Sequence, residues 1–420
     1  MPKTVEPETV GLSSERLKRI DDLMNRHVEE KKIGGSVVLI ARRGEIAYFK
    51  TFGNADVEKP IQWDTIFRIA SMTKPLVTTA AMLLYEEGRI LLTDPIALYI
   101  PEFKRPRVLT LLPEGSDPEY KLVLAKREIT IRDLMTHKAG ITYIFVSDWF
   151  KDRKHKLLID MYKDAGVTDG LCSKEWGIQG MVRRLARLPL IGQPGEVWEY
   201  GLSTDVLGYL VEKVSGMKLN DFIRERVLTP LKMNDTYFVV PQEKRARVSA
   251  VWESDWQGSL EKMGPGPTQV GGLTVCPGDV HQSTGTYLSG GAGMLSSAYD
   301  YYRFSQMLLN KGEIDGVRLL SRKTVELMTA TNHIGEFDAT FLHSKGWKFG
   351  LGFGIQTDRG QEVDSGSKGI YEWAGIYSTR FSVDPVEEKI TIMLTQTEPF
   401  KHHVDLWDKT LVLSSSAVVD

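Results

Sequence analysis

A serine and a lysine three residues apart, Ser71 and Lys74, have the types and spacing needed for nucleophilic catalysis. Because residues three apart lie on one face of a helix, the lysine amine would reach the serine hydroxyl. An amine in apolar surroundings has a lowered pKa and can accept the hydroxyl proton, and the amides at a helix N-terminus favour developing negative charge. The spacing S-x-x-K is therefore compatible with a nucleophilic serine, although the motif alone favours a capping serine followed by a solvated lysine.

The segment around this pair predicts the helix that would hold it. Leu76, Ala80 and Leu83 help to make residues 71–87 apolar around most of the helix, which is typical of a central, buried element. Pro75 fits near the start, where a missing N–H costs least. Hydrophobic periodicity and glycine stops predict further helices over 12–31, 129–137, 202–214 and 404–413, and strands over 36–41 and 46–49.

The C-terminal part is rich in β-forming residues. Residues 372–383 and 389–396 are predicted to pair as an antiparallel hairpin, since a turn signal lies between them. Strands near both chain ends, with helices between them, predict an α+β fold whose antiparallel sheet uses both termini. The prediction is a discontinuous sheet domain, residues 1–70 and 285–420, with terminal helices flanking the sheet and a mostly helical domain, residues 71–284, inserted into it.

The composition of the 420-residue chain is ordinary for a globular protein, with a net charge of −2. This balance gives no reason to expect a nucleic acid or a membrane as partner. Cys172 and Cys276 are too few for a disulfide framework and are predicted to be reduced, and His402 and His403 have no third ligand, so neither a metal nor another cofactor is expected. No stretch reads as a signal peptide or as a spanning helix of roughly 20 apolar residues, so the predicted location is the cytoplasm.

Five segments in order along the chain resemble motifs of the serine β-lactamase and penicillin-binding-protein superfamily. They are Phe67–Lys74, which contains S-x-x-K; Leu134–Ile141, similar to LLTHTAG; Pro194–Gly201, similar to PG-x-x-W-x-Y; Gly290–Ser297, similar to GG-x-G-x-x-S-T; and Trp373–Gly375, where lactamases have K-T-G. The branch they resemble most is the class C β-lactamase-related esterases, the family VIII carboxylesterases. An ordered set that spans most of the chain is far more specific than one short motif.

The resemblance implies a role for each matching residue. Ser71 would attack a carbonyl carbon and become acylated, and Lys74 and Tyr200 would share the work of general base and general acid. The backbone N–H groups of Ser71 and Ile376 would form the oxyanion hole. An unperturbed tyrosine has a pKa of about 10, so the charge of Lys74 would assist Tyr200. Apart from the resemblance, Tyr200 also fits a core aromatic with a satisfied hydroxyl.

Two departures from the lactamase motifs bear on the substrate. The tyrosine is followed by Gly201 and Leu202 rather than completing Tyr-x-Asn, and Trp373 replaces the lysine of K-T-G. In the family that lysine binds the carboxylate of β-lactams, whereas an indole offers a flat apolar wall. The resemblance therefore implies a serine carboxylesterase for small, neutral, short-chain esters, and it leaves weak β-lactam hydrolysis open.

The predicted substrate pocket combines this triplet with two aromatic residues. Trp373, Ala374 and Gly375 would border one side. Phe145 and Trp149, in an irregular stretch, would border the other, although aromatics there also fit plain core packing.

Three other functions fit the sequence. Residues 140–145 and 176–179 are similar to fungal statin-side-chain acyltransferases, so an alcohol could replace water as acceptor. The same acylation machinery would serve a β-lactamase or a peptidase. The non-enzyme alternative is a catalytically dead binding protein, against which the intact Ser71, Lys74 and Tyr200 argue. No G-x-S-x-G elbow of an α/β-hydrolase is present. The expected partner is a small-molecule ester, and the expected state is a monomer or small homo-oligomer.

Overall fold

Helices and strands follow one another so that strands cluster near both chain ends and helices in the middle. The computed structural model describes residues 2–148, 150–172, 176–270, 272–278, 287–339, 346–357, 366–400 and 404–420. The α-helices of these ranges are α1 (Ser14–Glu29), α2 (Thr73–Glu86), α3 (Ile131–Met135), α4 (Arg153–Asp164), α5 (Gly177–Leu185), α6 (Ser203–Ser215), α7 (Leu219–Ile223), α8 (Ala298–Leu309), α9 (Arg322–Thr329) and α10 (Val404–Ser416). The strands are β1 (Gly35–Arg42), β2 (Glu45–Asp56), β3 (Lys59–Pro60), β4 (Phe67–Arg68), β5 (Arg107–Leu111), β6 (Tyr120–Leu124), β7 (Trp252–Ser254), β8 (Leu260–Lys262), β9 (Thr268–Val270), β10 (Leu273–Val275), β11 (Leu295–Ser296), β12 (Glu313–Ile314), β13 (Val317–Arg318), β14 (Trp347–Phe349), β15 (Gly354–Gln356), β16 (Tyr371–Gly375), β17 (Thr379–Asp384), β18 (Lys389–Thr395) and β19 (Thr397–Glu398).

The main sheet takes strands from both ends of the chain. Among the described residues its eight strands lie in the order β14-β15-β16-β17-β18-β1-β2-β3. Neighbouring strands are antiparallel, and β1 lies at the junction of the two chain ends, with Val38 opposite Met393 of β18 and Lys50 of β2. The N-terminal strands thereby complete a sheet that the C-terminal strands begin.

Helices cover both faces of β1. Val38 and Ile40 belong to the cluster that α1 and α10 bury, while Val37 and Leu39 belong to the larger core that contains α8. Every residue of β1 is buried. This explains why the strand is a continuous apolar run in the sequence and does not alternate with polar residues.

The central element of the helical region is α2. Its residues from Thr73 to Leu84 are all buried, and α6 and α7 pack against it, which confirms the prediction of a central helix. The α-helix begins two residues later than predicted, because Ala70–Met72 form a 3₁₀ turn. The nucleophile candidate therefore lies in a tight turn ahead of the helix.

The predicted α+β fold, with an antiparallel sheet and inserted helices, is confirmed. The domain boundaries stay a prediction. The single strand predicted over 372–383 is wrong, because the chain turns at residues 376–378 between β16 and β17. Ser378 takes a φ of +64° there. A serine in the left-handed region is uncommon, so the composition does not reveal this turn.

Cys172 and Cys276 form a disulfide bond, so the prediction that both are reduced is wrong. They are 104 residues apart in sequence, and that separation carries no information about their distance in the fold. The cytoplasmic location stays a prediction that a disulfide does not favour, since such bonds persist in oxidising compartments. In the described part of the chain, no helix combines the length and the apolar character that crossing a membrane requires.

Candidate active site

Ser71 lies where the sheet meets the helical region. The chain reaches it through β4, which pairs with β11, and the N–H of Ile69 donates to the carbonyl of Met294 at 3.1 Å. Ala70 has a φ of +41°, a conformation that costs free energy for a residue with a side chain. This strained turn places Ser71 at the wall of a cavity.

The amine of Lys74 is buried and held from three sides. Its Nζ atom lies 3.0 Å from Oγ of Ser71, 3.0 Å from Oη of Tyr143 and 2.9 Å from the carbonyl oxygen of Gly291. Burial lowers the pKa of Lys74 to about 7, and the charge of Asp205 partly opposes this shift. A large share of Lys74 is therefore neutral near pH 7 and able to accept a proton.

Tyr200 faces the same serine from the other side. Its hydroxyl hydrogen bonds with Ser71 and receives the indole N–H of Trp373 at 3.3 Å. The Nζ atom of Lys74 lies 4.7 Å from the centre of its ring. Burial nevertheless raises the pKa of Tyr200. The hydrogen bonds with Ser71 and Trp373 oppose this shift but do not reverse it, so the phenol stays protonated at neutral pH.

A second tyrosine, which sequence reasoning did not connect with the lysine, completes this group. The Oη atom of Tyr143 accepts from Nζ of Lys74, and its ring centre lies 5.3 Å from that of Tyr200. The two residues of the hydrogen bond are 69 positions apart. No spacing rule joins them, so only the fold reveals the contact.

A buried glutamate ties the two tyrosine-bearing segments together. The hydroxyl of Thr142 donates to Oε1 of Glu199 at 2.5 Å, and the N–H of Glu199 donates to the carbonyl of His137 at 2.8 Å. A Cβ atom at Gly201 would lie 1.9 Å from the carbonyl oxygen of Ile141. The segments pack so closely that only glycine fits at position 201, directly after Tyr200.

A carboxylate of α6 fixes the loop whose carbonyl holds the lysine. Oδ1 of Asp205 accepts from Oγ of Ser289 at 2.6 Å and from the hydroxyl of Tyr287. Oγ of Ser289 accepts in turn from the N–H of Ala292 at 3.0 Å. Asp205 was missed by sequence reasoning because it matches no motif residue with an implied role. It orders the loop beside Lys74 and supplies a negative charge that raises the pKa of the lysine.

The end of β16 packs against the chain that leads into Ser71. A Cβ atom at Gly375 would lie 2.2 Å from the carbonyl oxygen of Ile69, and the hydroxyl of Thr379 donates to that oxygen at 3.3 Å. Ile376, the next residue, lines the same cavity as Ser71. This placement agrees with an oxyanion hole made by their two N–H groups, which stays a prediction.

A cavity opens beside the nucleophile candidate, and the empty space there, including solvent at its mouth, is about 400 Å³. The described residues that line it are Ser71, Tyr143, Phe145, Asp169, Leu171, Tyr200, Leu273, Ala292, Ala374, Gly375, Ile376 and Phe400. These side chains include no lysine or arginine and a single carboxylate. The lining is otherwise apolar apart from the hydroxyl groups of the serine and the tyrosines.

The predicted pocket residues occupy different places. Phe145, Ala374 and Gly375 line the cavity, and Trp149 lies outside the described residues. Trp373 was expected to form a wall, but its side chain is fully buried behind the tyrosine, edge-on to Phe349. Its indole contacts Tyr200 and does not line the cavity, whereas the next residue, Ala374, does. Alternate side chains of β16 point to opposite faces of the sheet. In the part of the chain that the structure describes, no cluster of three or more potential ligands could hold a metal ion.

The chain is similar to known proteins in both sequence and fold. The family model described as Beta-lactamase matches residues 20–413. Protein Rv1367c of Mycobacterium tuberculosis is 33% identical over 377 residues, which cover 87% of this chain and 86% of that protein. Esterase EstB of Burkholderia gladioli is 31% identical over 404 residues, which cover 94% of each chain. Among solved structures, EstCE1, described as a hydrolase with promiscuous acyltransferase activity, has a TM-score of 0.78 at 26% identity and covers 96% of this chain and 98% of its own.

The family match spans almost the whole chain, and two relatives exceed 30% identity over most of their length. The antiparallel sheet and the inserted helices agree with the fold of the similar solved structure. The chain belongs to the beta-lactamase family, in the serine β-lactamase-like superfamily that also contains esterases.

Proposed function

We propose that the protein is a serine carboxylesterase that forms an acyl-enzyme on Ser71. The observation that carries the proposal is the 3.0 Å separation of the Ser71 hydroxyl from the amine of Lys74, at the edge of an apolar cavity. Similarity to an esterase and to a hydrolase over most of the chain supports the same chemistry.

The acylation step uses the protonation states that burial imposes. Neutral Lys74 takes the proton of the Ser71 hydroxyl while Oγ bonds to the ester carbonyl carbon. The N–H groups of Ser71 and Ile376 stabilise the negative charge on the carbonyl oxygen. The carbon–alkoxy bond then breaks, the leaving alcohol takes the phenol proton of Tyr200, and Lys74 returns its proton to the phenolate.

Deacylation runs the same proton path in reverse. A water molecule loses its proton to Lys74, by way of the Tyr200 hydroxyl, and its oxygen bonds to the acyl carbon. The tetrahedral intermediate collapses as the bond between Oγ of Ser71 and the acyl carbon breaks, Lys74 gives its proton to Oγ, and the carboxylic acid leaves. Each side chain ends in the state in which it began.

The lining of the cavity supports esters that carry no negative charge. Lactam recognition in this superfamily depends on a cation near the nucleophile, and the described lining residues supply none. Asp169 would repel a substrate carboxylate. The buried Trp373 contributes an N–H to Tyr200 and no charge to the cavity. Small esters with uncharged or cationic acyl groups therefore fit this lining better than β-lactams.

The test compares aryl esters of graded acyl length with a chromogenic cephalosporin. The wild type is expected to hydrolyse the short esters and to lose at least a thousandfold in kcat with Ser71→Ala. A reactive phosphonate should label Ser71, as intact-protein and peptide masses would show. Ser305→Ala is the matched control, since the hydroxyl of Ser305 donates to a backbone carbonyl inside α8. Equal rates for Ser71→Ala and wild type, or faster cephalosporin turnover, would contradict the proposal.

Acyl transfer to an alcohol is the second candidate. It is favoured by the similarity to EstCE1, whose description includes promiscuous acyltransferase activity. The largely apolar cavity would admit an alcohol in place of water after acylation. With a short alcohol added, a transferase gives a new ester whose yield rises at the expense of free acid, whereas a strict esterase gives only the acid.

A further inference from the structure

One carboxyl group faces the otherwise apolar cavity, and the proposed reaction does not use it. Asp169 follows α4, is 8% exposed and lines the cavity together with Ser71. Its Oδ1 atom accepts the N–H of Ile144 at 2.7 Å, and the N–H of Phe145 also hydrogen bonds to the carboxyl group. These contacts anchor the carboxyl group at the cavity wall. The first donor, Ile144, directly follows Tyr143 in the chain.

The protein offers this carboxyl group little positive charge. Burial raises the pKa of Asp169 to about 7 against the effect of its two N–H donors. The charge of Asp205 raises the pKa further, Lys163 lowers it, and the hydroxyls of Tyr143 and Tyr287 also face the group. The hydrogen bonds that the structure describes for this carboxyl group come from backbone N–H groups and not from a cationic side chain. A buried carboxylate without a cation is costly.

The backbone contacts alone do not require a charge at this position. An asparagine would accept the N–H of Ile144 equally well through its amide oxygen. The carboxylate therefore costs stability beyond what anchoring the loop demands. Among the described residues, no cationic side chain donates to this carboxylate in the substrate cavity. Such a group is suited to bind a ligand that brings its own hydrogen-bond donor.

We propose that Asp169 is the specificity-determining residue of the acyl cavity and that it binds esters whose acyl group carries a hydrogen-bond donor, a protonated amine or a hydroxyl. This inference rests on the proposed function, in which the acyl group of an ester occupies the cavity beside Ser71. An ammonium group would replace the missing cation and gain a charge-assisted hydrogen bond in a dry site. A hydroxyl would gain an ordinary hydrogen bond, and a methyl group of the same size would gain neither.

The test uses two sets of nitrophenyl esters whose members differ in a single group. One set contains the esters of 2-methylpropanoic acid, lactic acid and alanine, and the other those of 3-methylbutanoic, 3-hydroxybutanoic and 3-aminobutanoic acid. Within a set the acyl groups have the same shape and carry a methyl, a hydroxyl or an amine. In at least one set the wild type is expected to prefer a donor-bearing ester to its methyl counterpart by at least tenfold in kcat/KM.

Asp169→Asn keeps the acceptor for the backbone and removes the charge. With this variant the preference for the amine ester should fall at least tenfold and the preference for the hydroxyl ester should fall less, each measured against the methyl ester of the same set. The matched control is Asp300→Asn, because Asp300 is also a buried carboxylate, accepts from the N–H of Asp235 and does not line the cavity. Thermal unfolding of both variants shows whether the fold is retained.

The outcomes separate this inference from the function on which it rests. If the methyl esters are hydrolysed in a Ser71-dependent way but no donor-bearing ester is preferred in either set, the role of Asp169 is wrong and the esterase stands. The role of Asp169 is also wrong if Asp169→Asn keeps the wild-type preference for donor-bearing esters. If no ester in either set is hydrolysed, the proposed function fails, and the inference fails with it.

Discussion

The indole N–H of Trp373 donates to the phenol oxygen of Tyr200, 3.3 Å away. The tryptophan stands where the related lactamase motif has a lysine, and its ring is fully buried at the end of β16. It keeps a hydrogen-bond donor at the tyrosine while removing the cation that would bind a substrate carboxylate. In the proposed mechanism, Trp373 therefore keeps a hydrogen bond to the proton-transfer group Tyr200 and favours esters over β-lactams.

Trp373→Phe should lower kcat for a short aryl ester by about five- to tenfold, because a net hydrogen bond of about 1 kcal/mol to Tyr200 is lost while most of the ring volume remains. The control is Trp407→Phe on α10, a buried tryptophan whose indole N–H has no hydrogen-bond partner among the described residues. Both variants remove a similar volume, so a similar loss of kcat in the two would show that packing and not the hydrogen bond is responsible.

The pKa of Lys74 sets the lower limb of the pH profile. The amine must be neutral to accept the Ser71 proton, and burial lowers its pKa to about 7. The value of kcat/KM for an apolar ester should therefore rise with pH up to a midpoint near 7, and fall about tenfold for each unit well below it. A profile that is flat between pH 5 and 8 would contradict the role of Lys74 as the base.

Asp205→Asn should move this midpoint to lower pH. The negative charge of Asp205 raises the pKa of Lys74, so removing it favours the neutral amine. The amide oxygen still accepts from Ser289 and Tyr287, which preserves the loop. Asp300→Asn removes a buried charge outside this hydrogen-bond group and should leave the midpoint unchanged. A shift to higher pH in Asp205→Asn, or equal shifts in the two variants, would refute the assigned effect of Asp205.

The two tyrosines at the lysine should differ in their effect on catalysis. Tyr200→Phe removes the proposed proton donor and should lower kcat at least a hundredfold. Tyr143→Phe removes one of three contacts of the amine and should lower kcat only about fivefold, the worth of one net hydrogen bond. Tyr302→Phe is the control, since its hydroxyl donates to the backbone of Gly44. If Tyr143→Phe were the more damaging variant, the proton donor would have to be reassigned.

The fold could be predicted from the sequence where patterns are local or ordered. Three features can be recognised from the sequence alone: the apolar run of β1, the buried helix after Ser71 and the five ordered motifs. The start of α2 was misjudged because the strain at Ala70 has no sequence signature: an alanine with a φ of +41° is held there by its surroundings.

The contacts around the nucleophile were less accessible to sequence reasoning. Tyr143, Asp169 and Asp205 come from three separate segments and meet only because α6 and two loops pack around one cavity. Their types are common and their spacing follows no rule. Trp373 was recognised as a departure from the motif. The motif does not state which face of β16 its side chain occupies, so the contact with Tyr200 was not predicted.

Either Cys172→Ser or Cys276→Ser should lower the free energy of unfolding by about 2 to 4 kcal/mol, because the disulfide closes a long loop of the unfolded chain. Leu171 and Leu273, which line the cavity, lie beside the two bonded segments, so KM for short esters should rise as this wall loosens. Denaturant unfolding and ester kinetics on protein prepared under oxidising conditions would measure both effects. The two single variants serve as mutual controls, since each breaks the same bond: equal losses indicate the disulfide, and unequal losses indicate side-chain packing. Two reactive thiols in the untreated wild-type protein would refute the bond itself.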